Sequence, residues 1–408
     1  MNVQTLKGFR DFLGAESRKR QYVKDTLQKV FESYGFEPLE TPALEYEEIL
    51  MGKYGEEGDK LMYRFEDNGE RRVALRYDQT VPTARYVAQY QNQLPFPFKR
   101  YQMQPVWRAE NTQKGRYREF LQCDADIVGV NSALADAEVI AVLQKGLEAL
   151  GFGNTKILVN DRGVFEGLPM NAIITIDKLK KIGEDGVVDE LVARNISKSR
   201  EEAYNLLQSI TKKEPTERLR EIFETLEQFG ISKKNATFSP TLARGLDYYT
   251  GMIFEIEIPE YPAGSVAGGG RYDELIGMFL PAGRQVAAVG FAIGFDRTLE
   301  AMEALDLFPK TLSESAAKVL VTVFNKELEE KSLELSSRLR SNNIAVELYL
   351  DPGAKMEKQL KYADSKGIPF AIILGPEEVE KNVVTLKDLK ERSQQLLPID
   401  QALILLRQ

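Results

Sequence analysis

The chain has 408 residues, of which 28 % are charged and 43 % hydrophobic, and its net charge is −8. It is long enough for two or three domains, and no apolar run approaches the roughly 20 residues of a membrane-spanning helix. The single cysteine excludes internal disulfides and a cysteine-based metal site, while the net negative charge argues against sequence-blind nucleic-acid binding over the whole surface. A local basic groove remains compatible with this charge.

The chain contains no histidine, although a chain of this length ordinarily carries several. This excludes histidine-based acid–base chemistry, Ser-His and Cys-His nucleophile pairs and imidazole metal ligands. A histidine-poor background composition is an alternative explanation and stays open. The first residues lack the basic and apolar regions of a secretory signal, so we expect a cytoplasmic protein with no membrane partner.

Hydrophobic periodicity predicts the elements of the first part of the chain. Apolar residues at helical spacing predict a helix over 17–34, with Gly35 as its C-terminal cap. Further on, the pattern predicts strands at 36–41 and 72–75 and helices at 81–90 and 134–150. Residues 166–235 change to Lys/Glu-rich amphipathic helices, such as 217–229, which we interpret as a helical insertion.

Strand patterns return in the last part of the chain, at 252–258 and 286–293, and residues 306–317 are typical of a linker. Beyond the linker, strands are predicted at 319–324, 345–350 and 370–374, with helices at 326–340 and 355–366 between them. This alternation predicts a separate small α/β domain with at least partly parallel strands.

Residues 107–126 carry the most informative motif, Trp-Arg-Ala-Glu followed by Gly-Arg-Tyr-Arg-Glu-Phe-Leu-Gln-Cys-Asp-Ala-Asp, with the polar loop 111–115 between two predicted strands. Alternation along the second strand would place one row of side chains on one face: Arg116, Arg118, Phe120, Gln122, Asp124 and Asp126. Such a row suits a nucleotide at one end and a small cationic or amphoteric molecule at the other. A solvated hairpin face is the alternative. Cys123 would point away from this row and be buried.

Three further segments combine glycines with arginines or tyrosines. Residues 243–251 place Arg244 close to Tyr248 and Tyr249 on constrained backbone. The glycine run 268–270, followed by Tyr272, lets the backbone approach a ligand or another strand closely, although a tight loop would also explain it. Residues 290–297 alternate small residues on one face and end in Arg297, which suits a purine stacked under a guanidinium. No P-loop motif is present.

With these motifs, the sequence resembles the class II aminoacyl-tRNA synthetases over nearly all of its length, and within them the histidyl-tRNA synthetase family. The segments 75–80, 115–126, 244–251 and 269–273 look like that family's signatures. Tyr77-Asp78 and the segment 123–126 look closer to its eukaryotic or archaeal branch than to the common bacterial one. The helix and strand before Pro42 correspond to motif 1, the hairpin at Arg108 to motif 2, and 290–297 to motif 3.

The resemblance implies an α+β fold with an antiparallel catalytic sheet flanked by helices. Its catalytic domain would comprise 1–165 and 236–305, with the helical insertion at 166–235, the linker at 306–317 and an α/β anticodon-binding domain at 318–408. Because motif 1 forms the dimer interface in class II enzymes, a homodimer is also implied.

The implied activity is ATP-dependent attachment of L-histidine to tRNA-His through a histidyl-adenylate, with release of AMP and pyrophosphate and with Mg²⁺ as the metal. By resemblance, Arg108 would hold the α-phosphate, Arg116 and Arg297 the outer phosphates, and Phe120 and Arg297 the adenine, with Glu110 completing the ATP set. Arg244 would be the catalytic arginine near the α-phosphate and the histidine carboxylate.

The histidine set implied by the resemblance has two ends. Asp78, Thr80 and Gln122 would take the ammonium group, and Asp126, Tyr249 and Tyr272 would read the imidazole, with Tyr248 beside them. Chemistry supports this allocation, because neutral imidazole has one donor and one acceptor nitrogen and needs a carboxylate and a phenol as partners. The first step needs no general base, since the histidine carboxylate is already ionised. We assign no base to the transfer to tRNA.

Three alternatives stay open from the sequence. A catalytically inactive histidine-binding paralogue, the regulatory subunit of the ATP phosphoribosyltransferase, would lack the anticodon domain and usually the catalytic arginines. A different amino acid specificity within class II is disfavoured by the segment 244–249. A purely structural protein would not need three arginine-bearing, glycine-flanked segments.

Overall fold

The computed structural model describes residues 3–112, 115–244, 248–262, 264–281, 284–312 and 314–407, without the side chains of 55–57. The predicted motif residues Gly245, Leu246 and Asp247, and the loop residues Gln113 and Lys114, therefore lie outside the described residues. The chain divides into two compact units, the first formed by Met1–Asp11 and Val23–Leu307 and the second by Phe12–Tyr22 and Phe308–Gln408. No helix in the described ranges is both long and apolar enough to cross a membrane.

The strands up to residue 307 fall into two sheets. They are β1 (Glu37–Pro38), β2 (Leu44–Tyr46), β3 (Arg64–Glu66), β4 (Arg72–Leu75), β5 (Phe98–Trp107), β6 (Glu119–Val128), β7 (Lys156–Asp161), β8 (Ala236–Phe238), β9 (Met252–Glu257), β10 (Ala267–Arg271) and β11 (Ala288–Gly294). The larger sheet has the order β1-β5-β6-β11-β10-β9-β7-β8, and a smaller one has the order β2-β4-β3. The larger sheet is antiparallel except at its two ends, where β1 pairs with β5 and β7 with β8 in parallel.

The helices of this part of the chain cover the sheet or follow it. They are α1 (Ala15–Ser33), α2 (Glu47–Leu50), α3 (Gly55–Lys60), α4 (Thr80–Tyr90), α5 (Ala133–Ala149), α6 (Met170–Ile176), α7 (Leu179–Ala193), α8 (Arg200–Thr211), α9 (Glu217–Gln228) and α10 (Phe295–Ala304), with 3₁₀ turns at Arg162–Phe165 and Ile276–Phe279. Helix α5 is apolar on most sides and almost wholly buried against the sheet, as expected of such a helix. The predicted antiparallel sheet with flanking helices is confirmed.

Most predicted elements appear within one or two residues of their expected bounds, but the strand predicted at 36–41 is shorter. It pairs as β1 over Glu37–Pro38, with one more backbone bond from Leu39 to Tyr101 O at 2.8 Å. At Thr41 the backbone N–H donates instead to the Gln104 side chain, at 3.1 Å. A side-chain acceptor therefore replaces the strand ladder, and the strand ends before Pro42.

The glycine run is a central strand, β10, and not a tight loop. A Cβ atom at Gly269 would lie 2.0 Å from the Gly290 carbonyl oxygen of the neighbouring strand β11. Only glycine permits that approach, so the prediction of close backbone contact is confirmed. Between β9 and β11, residues 268–270 therefore add no side chains of their own to either face of the sheet.

The second unit contains a mixed sheet of the order β13-β12-β14-β15-β16. Its elements after residue 308 are β12 (Val319–Val321), β13 (Val346–Leu348), β14 (Phe370–Ile373), β15 (Val383–Asp388), β16 (Ser393–Pro398), α11 (Glu329–Ser341), α12 (Met356–Ser365), α13 (Pro376–Glu380) and α14 (Ile399–Arg407), with a 3₁₀ turn at Lys326–Leu328. Strand β12 pairs in parallel with β13 and β14, which confirms the partly parallel prediction. The antiparallel hairpin β15–β16 was not predicted.

Candidate active site

Two adjoining cavities of about 300 and 450 Å³ open on the face of the larger sheet. Every residue of the predicted ATP set lines the first cavity: Arg108, Glu110, Arg116, Phe120 and Arg297. Every residue of the predicted histidine set lines the second: Asp78, Thr80, Gln122, Asp126, Tyr248, Tyr249 and Tyr272. The wall between the cavities is shared and includes Arg108 and Arg244. The structure therefore brings together residues that are up to 219 positions apart in the chain, from Asp78 to Arg297.

The first cavity has a flat floor made by small residues of two neighbouring strands. Gly268 on β10 and Ala292 and Gly294 on β11 face it, as the alternation of the sequence predicted. Arg297 stands in the first turn of α10, and its Nη1 donates to the Ser265 carbonyl oxygen at 2.5 Å. Phe120 on β6 also lines this cavity. A planar aromatic ring and a guanidinium above a flat bed are suited to an adenine base.

Arg108 is fixed at the junction of the two cavities. Its Nε donates to the Tyr77 carbonyl oxygen at 3.1 Å, and its Nη2 donates to Gln122 Oε1 at 3.4 Å. The guanidinium carbon also lies 4.4 Å from the Tyr77 ring centroid and 5.2 Å from that of Phe120. Arg116 is more exposed and pairs with Glu110 at 3.4 Å. The first cavity thus holds one oriented and one accessible guanidinium for phosphate oxygens.

Arg244 lies in the shared wall above the glycine strand. Its Nη1 is 3.2 Å from Glu255 Oε1 and donates to the Phe254 carbonyl oxygen at 3.4 Å. A Cβ atom at Gly268 would lie 2.0 Å from this nitrogen. The arginine can therefore occupy its position only because residue 268 has no side chain.

One carboxylate oxygen of Asp78 accepts three hydrogen bonds. Its Oδ1 accepts from Tyr54 Oη at 2.9 Å and from the backbone N–H groups of Thr80 and Val81 at 3.0 and 3.2 Å, which cap the start of α4. Its Oδ2 has a longer contact of 3.5 Å with Tyr248 Oη. Burial raises the pKa of Asp78, and the backbone N–H donors oppose that rise. Oδ2, with its single long contact, is therefore the oxygen that can accept a hydrogen bond from a cationic ligand.

Asp126 carries two short contacts at the far end of the second cavity. Its Oδ1 accepts from Tyr272 Oη at 2.5 Å, and its Oδ2 lies 2.5 Å from Arg100 Nη2. A Cβ atom at Gly290 would lie 1.9 Å from Asp126 Oδ1, so glycine is required there too. Burial raises the pKa of Asp126, whereas the charge of Arg100 lowers it.

Two residues of the predicted row, Arg118 and Asp124, do not line the cavities. Strand β6 begins at Glu119, one residue after Arg118, whose Nε donates to the Glu110 carbonyl oxygen at 3.1 Å. Its backbone N–H donates to Gly8 O at 2.9 Å, so Arg118 fastens the N-terminal segment rather than a ligand. Asp124 belongs to the same row of β6 but is buried, and its Oδ1 accepts a hydrogen bond from Gln122 Nε2 at 3.2 Å. Cys123 is buried, as predicted.

The sequence interpretation missed three charged residues of the site. Asp177, at the end of α6, lines the second cavity, and its Oδ1 accepts the Ala243 N–H at 2.8 Å. Burial raises the pKa of Asp177 to about 6. Glu255 forms an ion pair with Arg244. Arg100 forms one with Asp126. The available signal was a charge inside an apolar strand, since Glu255 sits within Met-Ile-Phe-Glu-Ile-Glu.

Among the described residues, no group of three or more cysteines, aspartates or glutamates is arranged to hold a metal ion. The first cavity does contain Glu110 and Glu255 as separate carboxylates. Mg²⁺ in nucleotide sites is commonly held by one or two carboxylates together with substrate phosphates, so a preformed cluster is not required.

Comparisons with known proteins agree on one family. The family profile "Histidyl-tRNA synthetase" matches residues 8–183 and 176–298, and the profile "Anticodon binding domain" matches 318–408. The chain is 39 % identical to a histidine–tRNA ligase of Cytophaga hutchinsonii, with 94 % of each chain covered, and 40 % identical to one of Christiangramia forsetii, with 95 % of each covered. A crystal structure of histidyl-tRNA synthetase from Nostoc sp. PCC 7120 is 32 % identical, with a TM-score of 0.84 over 100 % of this chain and 99 % of that one.

Proposed function

The chain belongs to the histidyl-tRNA synthetase family, and on that premise we propose that its two cavities bind ATP and L-histidine side by side. The enzyme is a histidine–tRNA ligase that activates histidine with ATP and attaches it to tRNA. The observation that carries the proposal is that each cavity is lined by one complete predicted residue set, with Arg108, Arg116, Gln122 and Arg244 lining both. The assignment to the eukaryotic or archaeal branch stays a prediction.

ATP takes the first cavity. Adenine lies between Phe120 and Arg297 over the flat floor, and Arg108 holds the α-phosphate, next to the second cavity. Arg116 and Arg297 contact the outer phosphates. The exposure of Arg116 supports this role, because phosphates that leave as pyrophosphate need an open path.

Histidine takes the second cavity with its two ends fixed by opposite groups. The ammonium group binds at Asp78 Oδ2, Thr80 and Gln122, close to Arg108. The imidazole binds at Asp126, Tyr249 and Tyr272, with Tyr248 packed between the tyrosines and Asp78. A site with a carboxylate and phenols in fixed positions rejects apolar isosteres, because its buried polar groups would be left unpaired.

The chemistry of the first step follows from charge. The histidine carboxylate attacks the α-phosphate, the bond to pyrophosphate breaks, and negative charge develops on the transferring group. Arg108 and Arg244 stabilise that charge from the shared wall and are already oriented by their partners. We propose Mg²⁺ as the metal partner of ATP, held by Glu110 and the phosphates, where it supplies further positive charge.

The remaining assignments concern the whole chain. We propose the catalytic domain as 1–165 with 236–305, the insertion as 166–235 and the linker as 306–317, with the anticodon-binding domain at 318–408 contacting tRNA-His. A homodimer is proposed through the motif 1 region. The exposed side chains of Leu44, Tyr46 and Phe65, in the small sheet that follows this region, are compatible with an interface there. Light scattering on the purified protein tests that state. The lone cysteine supports a cytoplasmic location.

The regulatory-paralogue alternative is less supported. The anticodon-binding profile covers 318–408, and Arg108, Arg244 and Arg297 are all present and line the cavities. A protein that only binds histidine would not need the first cavity, which is lined by the ATP set.

Amino-acid-dependent ATP–pyrophosphate exchange tests the proposal. We expect exchange with histidine alone among the twenty amino acids, and a loss of about 100-fold or more in Arg244→Ala, as for removal of one transition-state donor. Arg200→Ala is the matched control, because its side chain is half exposed and its ion pairs among the described residues are with the exposed Asp185 and Asp189 on α7.

Other outcomes contradict the proposal in identifiable ways. Histidine binding without exchange would point to the regulatory paralogue. Exchange with another amino acid would mean that the second cavity is wrongly assigned. Full activity in Arg244→Ala would remove that residue from the mechanism.

A further inference from the structure

A buried ion pair lies behind the imidazole end of the second cavity. Arg100 on β5 and Asp126 on β6 are paired in the register of the two strands. Arg100 Nη2 lies 2.5 Å from Asp126 Oδ2, and the exposed fractions of the two side chains are 0 and 4 %. Asp126 lines the cavity, whereas Arg100 is not among the described residues that do. Arg100 therefore lies behind the cavity wall, and the cavity residue with which it forms an ion pair is Asp126.

Charged and titratable groups reach Asp126 from each element packed around it. They are Arg100 from β5, Asp124 from its own strand, Tyr272 from the end of β10 and Asp78 from the segment before α4. The rest of the cavity wall adds Arg108, Arg116, Asp177, Arg244, Glu255, Tyr248 and Tyr249. Burial raises the pKa of Asp124 well above its ordinary value, and the charge of Asp126 adds to that rise. The Arg100 guanidinium thus acts on two buried carboxyl groups, of which Asp126 is the one within ion-pair distance.

We propose that Arg100 neutralises the ionised Asp126, so that the second cavity selects the uncharged imidazole of histidine over imidazolium. This inference rests on the proposed function, because it takes histidine as the ligand and Asp126 as its imidazole partner. A lone buried carboxylate would attract a cation. A carboxylate paired with a guanidinium offers acceptor lone pairs without net negative charge.

The geometry leaves room for that acceptor role. Asp126 Oδ1 already accepts from Tyr272, and Oδ2 already faces Arg100. Each carboxylate oxygen has two lone pairs, so one remains on each for an imidazole N–H. The other nitrogen of a neutral imidazole then accepts a hydrogen bond from a tyrosine hydroxyl. An imidazolium could not accept this bond, because neither of its nitrogens has a free lone pair.

Removing the charge of Arg100 has a specific consequence. An adjacent opposite charge lowers a carboxyl pKa, so the loss of the Arg100 charge raises the pKa of Asp126 further above its usual range. Asp126 then binds a proton more readily, and the protonated form is a weaker acceptor for imidazole. The defect should therefore affect histidine binding, lessen as pH rises and leave ATP binding unchanged.

The experiment measures KM for histidine and for ATP in pyrophosphate exchange from pH 6 to pH 9, in wild type, Arg100→Met and Arg100→Lys. We expect Arg100→Met to raise the histidine KM about tenfold or more at pH 7, with the difference narrowing toward pH 9. The KM for ATP should not change, and Arg100→Lys should keep the wild-type pH profile. An equal increase at every pH, a parallel rise in the KM for ATP, or the same profile in Arg100→Lys as in Arg100→Met would overturn the inference.

A second measurement needs no variant, which matters because removing a buried cation can prevent folding. In wild type, the KM for histidine should rise as the pH falls through the imidazole pKa of about 6.5. The KM for a triazole isostere, whose ring stays neutral in this range, should stay flat. A flat histidine profile would overturn the inference. An absence of exchange with histidine at any pH would instead contradict the proposed function, so the two failures are distinguishable.

Discussion

The charged side chains of the two cavities are held in position by protein partners. Arg108 donates to a carbonyl and an amide, Arg244 to a carbonyl and a carboxylate, and Asp78 accepts from four donors. Groups fixed in this way need little reorganisation when charge develops on a substrate.

Asp177 gives a prediction about pH. Its folded-state pKa of about 6 is raised from 3.8 by burial, so its contribution to stability is fully present below pH 3.8 and is lost as the pH rises through 6. Asparagine keeps the acceptor for the Ala243 N–H without the negative charge. We expect Asp177→Asn to stabilise the protein by about 1 kcal/mol at pH 7.5, because solvent screens the charge of this exposed residue, and by much less at pH 4.5.

Urea unfolding at the two pH values measures this difference. Asp185→Asn is the matched control, because the Asp185 side chain is 95 % exposed and should show no comparable pH-dependent gain. A gain in Asp177→Asn of the same size at both pH values would show that the Asp177 charge is not its cause.

At the scale of the elements, the glycine strand β10 determines how closely its neighbours and Arg244 approach the floor. A Cβ atom added to any of its three glycines would clash with a different atom. That atom is Arg244 Nη1 at Gly268, Gly290 O at Gly269 and Met252 O at Gly270. The strand is central in the sheet, with β9 on one side and β11 on the other. Its lack of side chains is thus both a packing requirement and a requirement of the site.

Gly268→Ala tests this role. The new methyl group would displace the guanidinium of Arg244 and crowd the Phe254 carbonyl, so we expect histidine-dependent exchange to fall about 100-fold. Gly153→Ala is the control, because a Cβ at residue 153 meets no atom within 4 Å. Thermal unfolding of both variants separates a lost site from a lost fold. Unchanged exchange in a folded Gly268→Ala would contradict the account of β10.

The elements also show what sequence patterns can predict. Helix α1, strand β4 and helix α5 follow from local periodicity, and the face formed by Phe120, Gln122 and Asp126 follows from alternation. The role of Arg100 and the place of Asp177 depend on pairing between distant segments, which no local pattern encodes. Hairpin β15–β16 was missed although Val383–Asp388 alternates buried and half-buried residues.

For the whole molecule, the absence of histidine fits a site built from arginines, carboxylates and tyrosines. The proposed first step uses the ionised histidine carboxylate as nucleophile, so no imidazole base is required. A histidine–tRNA ligase without histidine also has a consequence for its own synthesis, because translating the chain consumes none of its product.

Histidine starvation of the source cells tests this consequence. We expect synthesis of this chain to fall less than that of histidine-containing proteins, as measured by pulse labelling. A fall in proportion to those proteins would refute the idea. Equally histidine-poor neighbouring genes would make the composition a property of the genome.

The assignment of the two cavities is tested most directly by a crystal structure of the protein with a non-hydrolysable sulfamoyl analogue of histidyl-adenylate. We predict adenine between Phe120 and Arg297, the sulfamoyl group beside Arg108 and Arg244, and the imidazole on Asp126. An analogue bound in the opposite direction, or with its imidazole away from Asp126, would contradict both the assignment and the specificity derived from it.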